Sequence, residues 1–271
     1  MKYATVPNVI AGAPKQAEGS LPFMDVCNPS DGSVISRVPM SGHREVDLAV
    51  RAARAAFPAW SSTPIKERVQ VFYKYKALLE KNIGELAALV TEENGKVDSE
   101  ARAEVLKSAE LSEFACSLPQ IVTGEVLEVS RGVECRIERF PVGVVAAITP
   151  FNFPNMVPNW SLPNALALGN AMVLKPSELV PLSSIRIAER LREAGLPDGV
   201  LPVVQGGKET VEAICDHTGI AAVSFVGSTK VAKIVYRRAT TTLKRCLALG
   251  GAKNHLIVMP DADLEMASSN I

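Results

Sequence analysis

Three polar segments, each placed directly after an apolar run, carry residue types that could bind a nucleotide and act on a carbonyl group. Asn152 stands between two phenylalanines in TPFNFP, where a fixed side-chain amide could donate a hydrogen bond to a developing oxyanion. In LKPSE, Lys175 ends an apolar run and Glu178 follows a stiff proline, so both side chains could reach a ribose diol. Gly227 and Ser228, in FVGST, precede a helical pattern whose first N–H groups suit a phosphate.

Each of these segments also has an ordinary structural interpretation. The asparagine could satisfy its own loop, the Lys-x-x-Glu pair could be a solvated turn, and the glycine could belong to a helix cap. The usual dinucleotide fingerprint, G-x-G-x-x-G, follows none of the apolar runs. A binding site is therefore favoured by the joint occurrence of the segments in this order, not by any one of them.

The elements that would position these residues alternate between strands and helices from Pro141 onward. The sequence predicts five nearly apolar strands, which read in order VGVVAAI, AMVLK, VLPVVQ, AAVSFVG and LIVMP. Apolar strands separated by helices are typical of a parallel sheet that is covered on both faces. Since ligands of such sheets lie at the carboxyl ends of the strands, we expect the loops that carry Asn152 and Lys175 to line one crevice.

Residues 1 to about 123 are predicted to be mainly helical because apolar residues recur there at helical spacing. Helix boundaries are expected after Ser41, at Thr63-Pro64 (a cap and a first-turn proline), at Asn82–Glu85 (a capping box) and at Asn94-Gly95 (a stop), with a further helix over 99–116.

The segment 124–140 changes to a period of two residues. Val133, Cys135 and Ile137 alternate with charged residues, which predicts a strand with one wet face, and Arg131-Gly132 is the expected turn of an antiparallel hairpin. Because a hairpin alone is marginal in water, we expect it to pair with something outside this segment.

Composition excludes several classes of protein. The 271 residues carry 29 basic and 29 acidic side chains, so the formal charge of zero argues against a nucleic-acid partner. The longest apolar run, near Val142–Ile148, is far shorter than the ~20 residues that span a bilayer, and the N-terminus lacks a secretory h-region. Five cysteines without a C-x-x-C pair predict neither a disulfide framework nor a metal site. We expect no membrane partner and a cytoplasmic location, or the mature form of an organellar protein.

The ordered motifs TPFNFP, LKPSE, FVGST and ALGGAKN resemble the NAD(P)-dependent aldehyde dehydrogenase superfamily from about Cys27 onward. The resemblance implies an α/β fold, aldehyde dehydrogenase-like, in which a Rossmann-type parallel sheet forms the cofactor domain beside N-terminal helices. It implies an NAD-binding domain over 1–123 and 141–247, an oligomerisation hairpin over 124–140, and the start of a truncated catalytic domain over 248–271. The parent enzyme would be a homo-oligomer, a dimer or a tetramer.

The same resemblance implies a role for each motif. Asn152 would be the oxyanion-hole amide, Lys175 and Glu178 would hold the adenosine ribose, Gly227 and Ser228 would lie at the pyrophosphate, and Thr149, Phe151 and Gly250 would lie along the cofactor. We expect NAD rather than NADP, because a 2′-phosphate beside the Glu178 carboxylate would place like charges together.

Three further stretches, PNMVPNW, FVGSTKVAK and GGAKNHLIVMPDADLE, resemble the methylmalonate-semialdehyde dehydrogenase branch, which acylates coenzyme A. Ordinary members carry a glutamate in E-L-G-G-K that activates the hydrolytic water, whereas this sequence has Ala248 at that place. Coenzyme A is therefore the expected co-substrate, and a hydrolytic aldehyde dehydrogenase is the alternative. The branch's substrate-binding arginine in G-E-V-x-R-G is replaced by Lys107, which keeps the charge but loses the bidentate fork.

The nucleophile of this chemistry, a cysteine in a G-x-x-C motif downstream of GGAKN, is absent from the sequence. Cys215 lies beside Asp216 and His217, but adjacent helical residues point to different faces, and Cys246 lies in an apolar strand. A helix is expected to start at Asp261–Asp263, and the nucleophile would follow Ile271. We therefore expect an N-terminal enzyme part that is inactive alone, or else a nucleotide-binding module without chemistry.

Overall fold

A computed structural model describes residues 1–15 and 21–271 of the chain. Residues 16–20, which belong to the predicted segment 1–123, lie outside the described residues. The N-terminal segment contains β1 (Asn8–Ile10), β2 (Ala13–Lys15), β3 (Phe23–Cys27), β4 (Val34–Pro39), α1 (His43–Ser62), α2 (Ile65–Lys81), α3 (Ile83–Asn94), α4 (Asp98–Cys116) and α5 (Leu118–Ile121). The remainder contains β5 (Glu125–Ser130), β6 (Val133–Ile137), β7 (Val144–Ile148), α6 (Met156–Ala167), β8 (Ala171–Lys175), α7 (Leu182–Glu193), α8 (Lys208–Asp216), β9 (Ala222–Val226), α9 (Thr229–Thr240), β10 (Arg245–Leu249) and α10 (Leu264–Ser269).

The central sheet has four parallel strands in the order β10-β9-β7-β8, which confirms the predicted parallel sheet. Strand β7 lies between β8 and β9. The connection from β7 to β8 therefore runs to one side of β7, and the connection from β8 to β9 crosses to its other side. Such a point in a parallel sheet leaves a crevice at the carboxyl ends of the strands, where ligands bind.

Alternate residues of β7 face two separate apolar clusters, so helices cover both faces of the sheet. Val145 and Ala147 pack in a cluster with side chains from α2, α4, α6 and α7. Val144 and Ala146 pack in a second cluster with side chains from α1, α8 and α9. Because both faces are dry, every residue of β7 is buried, as the nearly apolar sequence of the strand requires.

Two of the five predicted strands are not regular strands. In VLPVVQ, the carbonyls of Val200 and Pro202 accept bonds from β8, but only Val203 forms ladder bridges, since Pro202 has no N–H to donate. The segment therefore borders the sheet without forming a strand. The prediction for LIVMP is wrong: residues 256–260 are exposed coil and turn, and they belong to none of the sheets among the described residues.

The helices predicted before residue 123 are present, although the four short strands β1 to β4 were not predicted. Gly95 ends α3 in the left-handed conformation, which confirms the predicted stop. Two capping predictions are wrong. Thr63 ends α1, and Pro64 occupies the cap position of α2. Asn82 occupies the N-cap position of α3, but its side chain makes no capping bond there and its Nδ2 donates to the Leu78 carbonyl of α2.

The predicted hairpin is formed by β5 and β6, which pair antiparallel with Glu125 opposite Ile137. All residues of both strands are exposed, so neither face is covered by the described part of this chain, and the expected pairing with something outside the segment stays a prediction. Such edges and apolar side chains favour association with another strand or surface. Within residues 1–15 and 21–271, no helix is long and apolar enough to cross a membrane.

Candidate functional site

The loops that follow β7 and β8 start side by side. Ile148 pairs with Lys175 in the parallel ladder, and the next backbone N–H, that of Thr149, donates to the Lys175 carbonyl at 3.1 Å. Both Thr149 and Lys175 are buried. The sheet therefore brings two of the predicted motifs together, as the alternation of strands and helices led us to expect.

Lys175 is a buried cation whose carboxylate partner is Glu178. Its side chain is 5% exposed, and its Nζ lies 3.2 Å from Oε2 of Glu178, whose side chain is 32% exposed. Burial lowers the pKa of the Lys175 ammonium, and the charge of Glu178 opposes that shift. An ammonium has three donors, so this pair can take further acceptors such as vicinal hydroxyls.

Gly207 lies against the same pair and was not identified from the sequence. A Cβ atom at this glycine would lie 2.7 Å from Cε of Met40 and 3.8 Å from Oε1 of Glu178. A side chain at this position would therefore clash with the Met40 side chain and reduce the space beside the Glu178 carboxylate. The Gly-Gly pair that ends the third apolar run, in VVQGG, was the signal that could have found it.

The motifs FVGST and ALGGAKN meet at the N-terminus of α9. Ser228 is the N-cap, and its Oγ accepts a bond from the Val231 N–H at 3.4 Å. Gly227 N donates to the Leu249 carbonyl at 3.1 Å, and Gly251 N donates to Oγ1 of Thr229 at 3.0 Å. The Ser228 hydroxyl thus acts as the ordinary helix cap, while the first N–H groups of α9 remain suited to an anion.

Gly250, like Gly207, has little space for a side chain. A Cβ atom there would lie 3.0 Å from Oγ1 of Thr229. The glycines therefore allow the two loops to approach each other closely at the first turn of α9.

Asn152 lies in the loop between β7 and α6, and both it and Phe151 are exposed. The Phe151 carbonyl accepts a bond from Nδ2 of Asn94 at 2.8 Å, and the Asn152 carbonyl accepts one from Nζ of Lys96 at 2.7 Å. The backbone of the loop is thus bonded to the connection between α3 and α4. The side-chain amide of Asn152 makes no hydrogen bond to another described residue, so it is available to a bound molecule.

Lys107 is not brought into this group of residues. Its side chain is 52% exposed on α4, where its ammonium pairs with Glu110 one turn later on the same helix. Ala248 lies on β10 opposite Phe225 of β9 and packs against the cluster that includes α9.

The five thiols lie on separate elements. Cys116 and Cys215 are buried, and burial raises the pKa of each to about 11. Burial also raises the pKa of Cys246. Cys27 and Cys135 are exposed on β3 and β6. A raised pKa leaves little thiolate at neutral pH, which opposes a nucleophilic role for the three shifted thiols.

Asp216 and His217, the two residues that follow Cys215, each have a partner on another helix. The Asp216 carboxylate binds the guanidinium of Arg238 at 2.6 Å, and Nε2 of His217 lies 3.3 Å from the Asp47 carboxylate on α1. These two side chains therefore bind different partners, and among the described residues neither is hydrogen-bonded to the Cys215 thiol.

Glu93, at the end of α3, supports the loop that carries Lys175 and Glu178. Its carboxylate accepts bonds from the Leu182 and Ser183 N–H groups, each at 2.8 Å, at the start of α7. Burial raises the pKa of Glu93 from 4.5 to about 7, against the effect of these two bonds, which lower it. The native state therefore holds a proton on Glu93 that the unfolded chain has released between these two pH values.

Stability of the chain should consequently fall as pH rises. The contribution of Glu93 is fully present below pH 4.5, its unfolded value, and is lost as pH passes about 7, a change on the order of 1–3 kcal/mol. Denaturant unfolding at about pH 5 and about pH 8 measures this. Glu93→Gln should reduce the dependence of the unfolding free energy on pH. Glu80→Gln, on the exposed face of α2, should leave that dependence unchanged. If the unfolding free energy changes equally with pH in wild type and in Glu93→Gln, the prediction is wrong.

Comparison with known proteins gives consistent matches. The sequence profile of the aldehyde dehydrogenase family matches residues 16–271. "Malonate-semialdehyde dehydrogenase 2" of Geobacillus thermodenitrificans is 51% identical over 247 residues, which cover 91% of this chain and 51% of the relative. A protein of the same name from Bacillus anthracis is 49% identical with the same coverage.

Two crystal structures match the fold closely. Methylmalonate-semialdehyde dehydrogenase from Oceanimonas doudoroffii has a TM-score of 0.95 at 44% identity, covering 98% of this chain and 55% of that chain. A protein assigned as methylmalonate-semialdehyde dehydrogenase from Sinorhizobium meliloti, complexed with NAD, has a TM-score of 0.96 at 42% identity, covering 99% and 55%. The chain spans about half the length of these relatives.

Proposed function

This chain belongs to the aldehyde dehydrogenase family, and we propose that it forms the NAD-binding half of a coenzyme A-acylating enzyme. The reaction would be the NAD-dependent oxidation of a (methyl)malonate-semialdehyde-like aldehyde to an acyl-CoA. One observation carries the proposal: the sheet gathers the loops after β7, β8, β9 and β10, which hold all four family motifs, at its carboxyl edge.

The residues at this edge fit a dinucleotide. The buried ammonium of Lys175 and the half-exposed carboxylate of Glu178 would bind the adenosine ribose, since together they offer donors and acceptors to a diol. Gly227 and Ser228, at the start of α9, would lie at the pyrophosphate. Thr149, Phe151 and Gly250 would lie along the rest of the cofactor. NAD, when bound, would supply the hydride acceptor.

Asn152 would stabilise charge on the aldehyde oxygen. Its exposed side-chain amide is free to donate, and a donor fixed in a protein site stabilises an oxyanion more than water does. The attacking thiol would have to come from sequence outside residues 1–271. We therefore propose that this chain is the N-terminal part of the enzyme and is inactive alone.

Lys107 lies apart from the loop residues described above, and it is proposed as the partner of the substrate carboxylate from its place in the motif AEVLKSAE alone. Its present partner, Glu110, is an exposed residue on the same helix. Exposed ion pairs contribute about 0–1 kcal/mol, so an anionic substrate could recruit the ammonium at little cost. The names of the relatives, malonate-semialdehyde and methylmalonate-semialdehyde dehydrogenases, support an aldehyde that carries a carboxylate.

Residues 1–123 and 141–247 would form the NAD-binding domain, and 248–271 the start of the catalytic domain. The hairpin 124–140 would mediate assembly into a homo-oligomer, a dimer or a tetramer, because both of its strands present uncovered apolar side chains.

The cofactor assignment predicts that the chain prefers NAD to NADP. A 2′-phosphate near Glu178 would meet a like charge, at a cost of about 1–3 kcal/mol, which is roughly a 5- to 150-fold difference in affinity. Titration of both nucleotides, with calorimetric detection, measures the ratio. Glu178→Gln should reduce the discrimination, whereas Glu189→Gln on α7 should leave it unchanged. Equal affinity for the two nucleotides in wild type would remove the role of Glu178.

A further inference from the structure

The two carbonyl groups on either side of the Asn152 Cα are both held by side chains from the α3–α4 connection. The Phe151 carbonyl accepts from Asn94 at 2.8 Å, and the Asn152 carbonyl accepts from Lys96 at 2.7 Å. Asn94 is the last residue of α3, and Lys96 follows the left-handed Gly95. Two residues of one short segment, 94–96, thus hydrogen-bond to the peptide groups before and after the Asn152 Cα atom.

These two bonds restrain the backbone from which the Asn152 side chain projects. The Phe151 carbonyl belongs to the rigid peptide plane before the Asn152 Cα, and the Asn152 carbonyl belongs to the plane after it. When both planes are held, φ and ψ of Asn152 are held as well. Since the backbone determines where the Cβ atom points, the two carbonyl bonds set the direction of the Cα–Cβ bond and so the side of the loop on which the amide lies.

Lys96 is itself fixed on three sides. Its Nζ bonds to Oε2 of Glu104, donates to the Asn152 carbonyl and lies 3.6 Å from the centroid of the Phe153 ring. The side chain is only 16% exposed, and that of Glu104 is 1% exposed. A cation that is nearly excluded from water and has three partners moves less than an exposed lysine.

Glu104 connects this lysine to the helix that follows the loop. Its Oε1 accepts bonds from the Asn155 and Met156 N–H groups, at 2.7 and 3.0 Å, at the start of α6. A carboxylate at a helix N-terminus is favourable because the unbonded N–H groups there carry partial positive charge. The Lys96–Glu104 pair therefore ties the loop on one side of Asn152 to the helix on the other.

We propose that Asn94 and Lys96, with Glu104 behind them, are positioning residues that aim the Asn152 amide at the reacting oxygen. This inference rests on the proposed function, since it gives Asn152 the oxyanion role. None of the three residues needs to touch the substrate. Their effect would be on kcat, because a misdirected donor binds the transition state less well while the cofactor still binds normally.

The test is a double-mutant cycle in the full-length enzyme that contains this chain. The variants are Lys96→Met, which keeps the length of the side chain, Asn152→Ala and the combination of both. Lys96→Met should lower kcat about 10- to 100-fold with unchanged NAD affinity. In the Asn152→Ala background the same change should have almost no further effect, because the residue it positions is gone. Lys96→Arg should restore part of the loss.

Lys76→Met is the matched control, since it removes a lysine ammonium that pairs with Glu80 on the surface of α2. It should leave kcat unchanged. If Lys96→Met does not fold, Asn94→Ala provides the second test, because it removes one neutral hydrogen bond and leaves the buried charge pair intact. We expect a kcat about tenfold lower for Asn94→Ala.

The outcomes separate this inference from the proposed function. If Asn152→Ala leaves kcat unchanged, Asn152 is not the oxyanion donor and both assignments fall. If Asn152→Ala lowers kcat strongly but Lys96→Met and Asn94→Ala do not, only the positioning role is wrong. Fully additive effects in the cycle would also overturn it, since Lys96 would then act independently of Asn152.

Discussion

Purified residues 1–271 are expected to form no NADH from any aldehyde. Covalent aldehyde oxidation needs a thiolate that attacks the carbonyl carbon, and removing the attacking group from such a mechanism eliminates most of the rate. The three shifted thiols, Cys116, Cys215 and Cys246, have raised pKa values, and the exposed Cys27 and Cys135 lie on β3 and the hairpin. Absorbance of NADH, followed with a panel of short acidic aldehydes, measures the activity.

Light scattering should accompany this assay, because the uncovered hairpin 124–140 favours association of the isolated chain. The full-length enzyme serves as the positive control. Turnover by residues 1–271 that disappears in Cys215→Ala or Cys246→Ala would show that one of these thiols is the nucleophile. The proposal that the nucleophile lies outside this chain would then be wrong.

In the full-length enzyme, coenzyme A should be required for rapid product formation. By the proposed resemblance of ALGGAKN to E-L-G-G-K, Ala248 stands at the place of the water-activating glutamate, so a thioester intermediate should persist until a thiol accepts the acyl group. General-base assistance contributes typically about 10²- to 10⁴-fold, and the rate without coenzyme A should be lower by a factor in that range. Chromatographic analysis of products, with and without coenzyme A, distinguishes acyl-CoA from free acid.

Ala248→Glu should raise the hydrolytic rate, because it restores a base at this position of β10. Ala221→Glu, just before the neighbouring strand β9, is a control that introduces the same charge away from this position. Free acid formed without coenzyme A, as fast as acyl-CoA forms with it, would establish the hydrolytic alternative.

The parts of the fold that local sequence determines were predictable. The apolar runs of β7 and β8 and the helix-terminating Gly95 each depend on neighbouring residues, and each is present where expected. LIVMP has the same apolar character but is coil, because a strand forms only where another strand supplies hydrogen-bond partners. The capping box at Asn82 does not form: Nδ2 of Asn82 donates to the Leu78 carbonyl of α2, and its side chain accepts no bond from the first turn of α3.

The site was predictable as a set of motifs but not as a set of contacts. The positions of Lys175 and Glu178 followed from the end of an apolar run, and the structure brings them within 3.2 Å. The contacts from Asn94 and Lys96 to the Asn152 loop join residues 57 and 56 positions apart in the sequence. No local pattern reports such distant partners, so only the packing of α3 and α4 against the loop reveals them.

The carboxyl ends of the sheet strands are proposed to bind NAD through the buried Lys175, and one titration tests this directly. NAD is added to residues 1–271 and to the variants Lys175→Met and Lys76→Met, and the dissociation constants are compared. We predict saturable binding by wild type and Lys76→Met, and at least about tenfold weaker binding by Lys175→Met, which loses a charged hydrogen-bond donor. No saturable binding by wild type, or equal affinity in Lys175→Met, would contradict the claim.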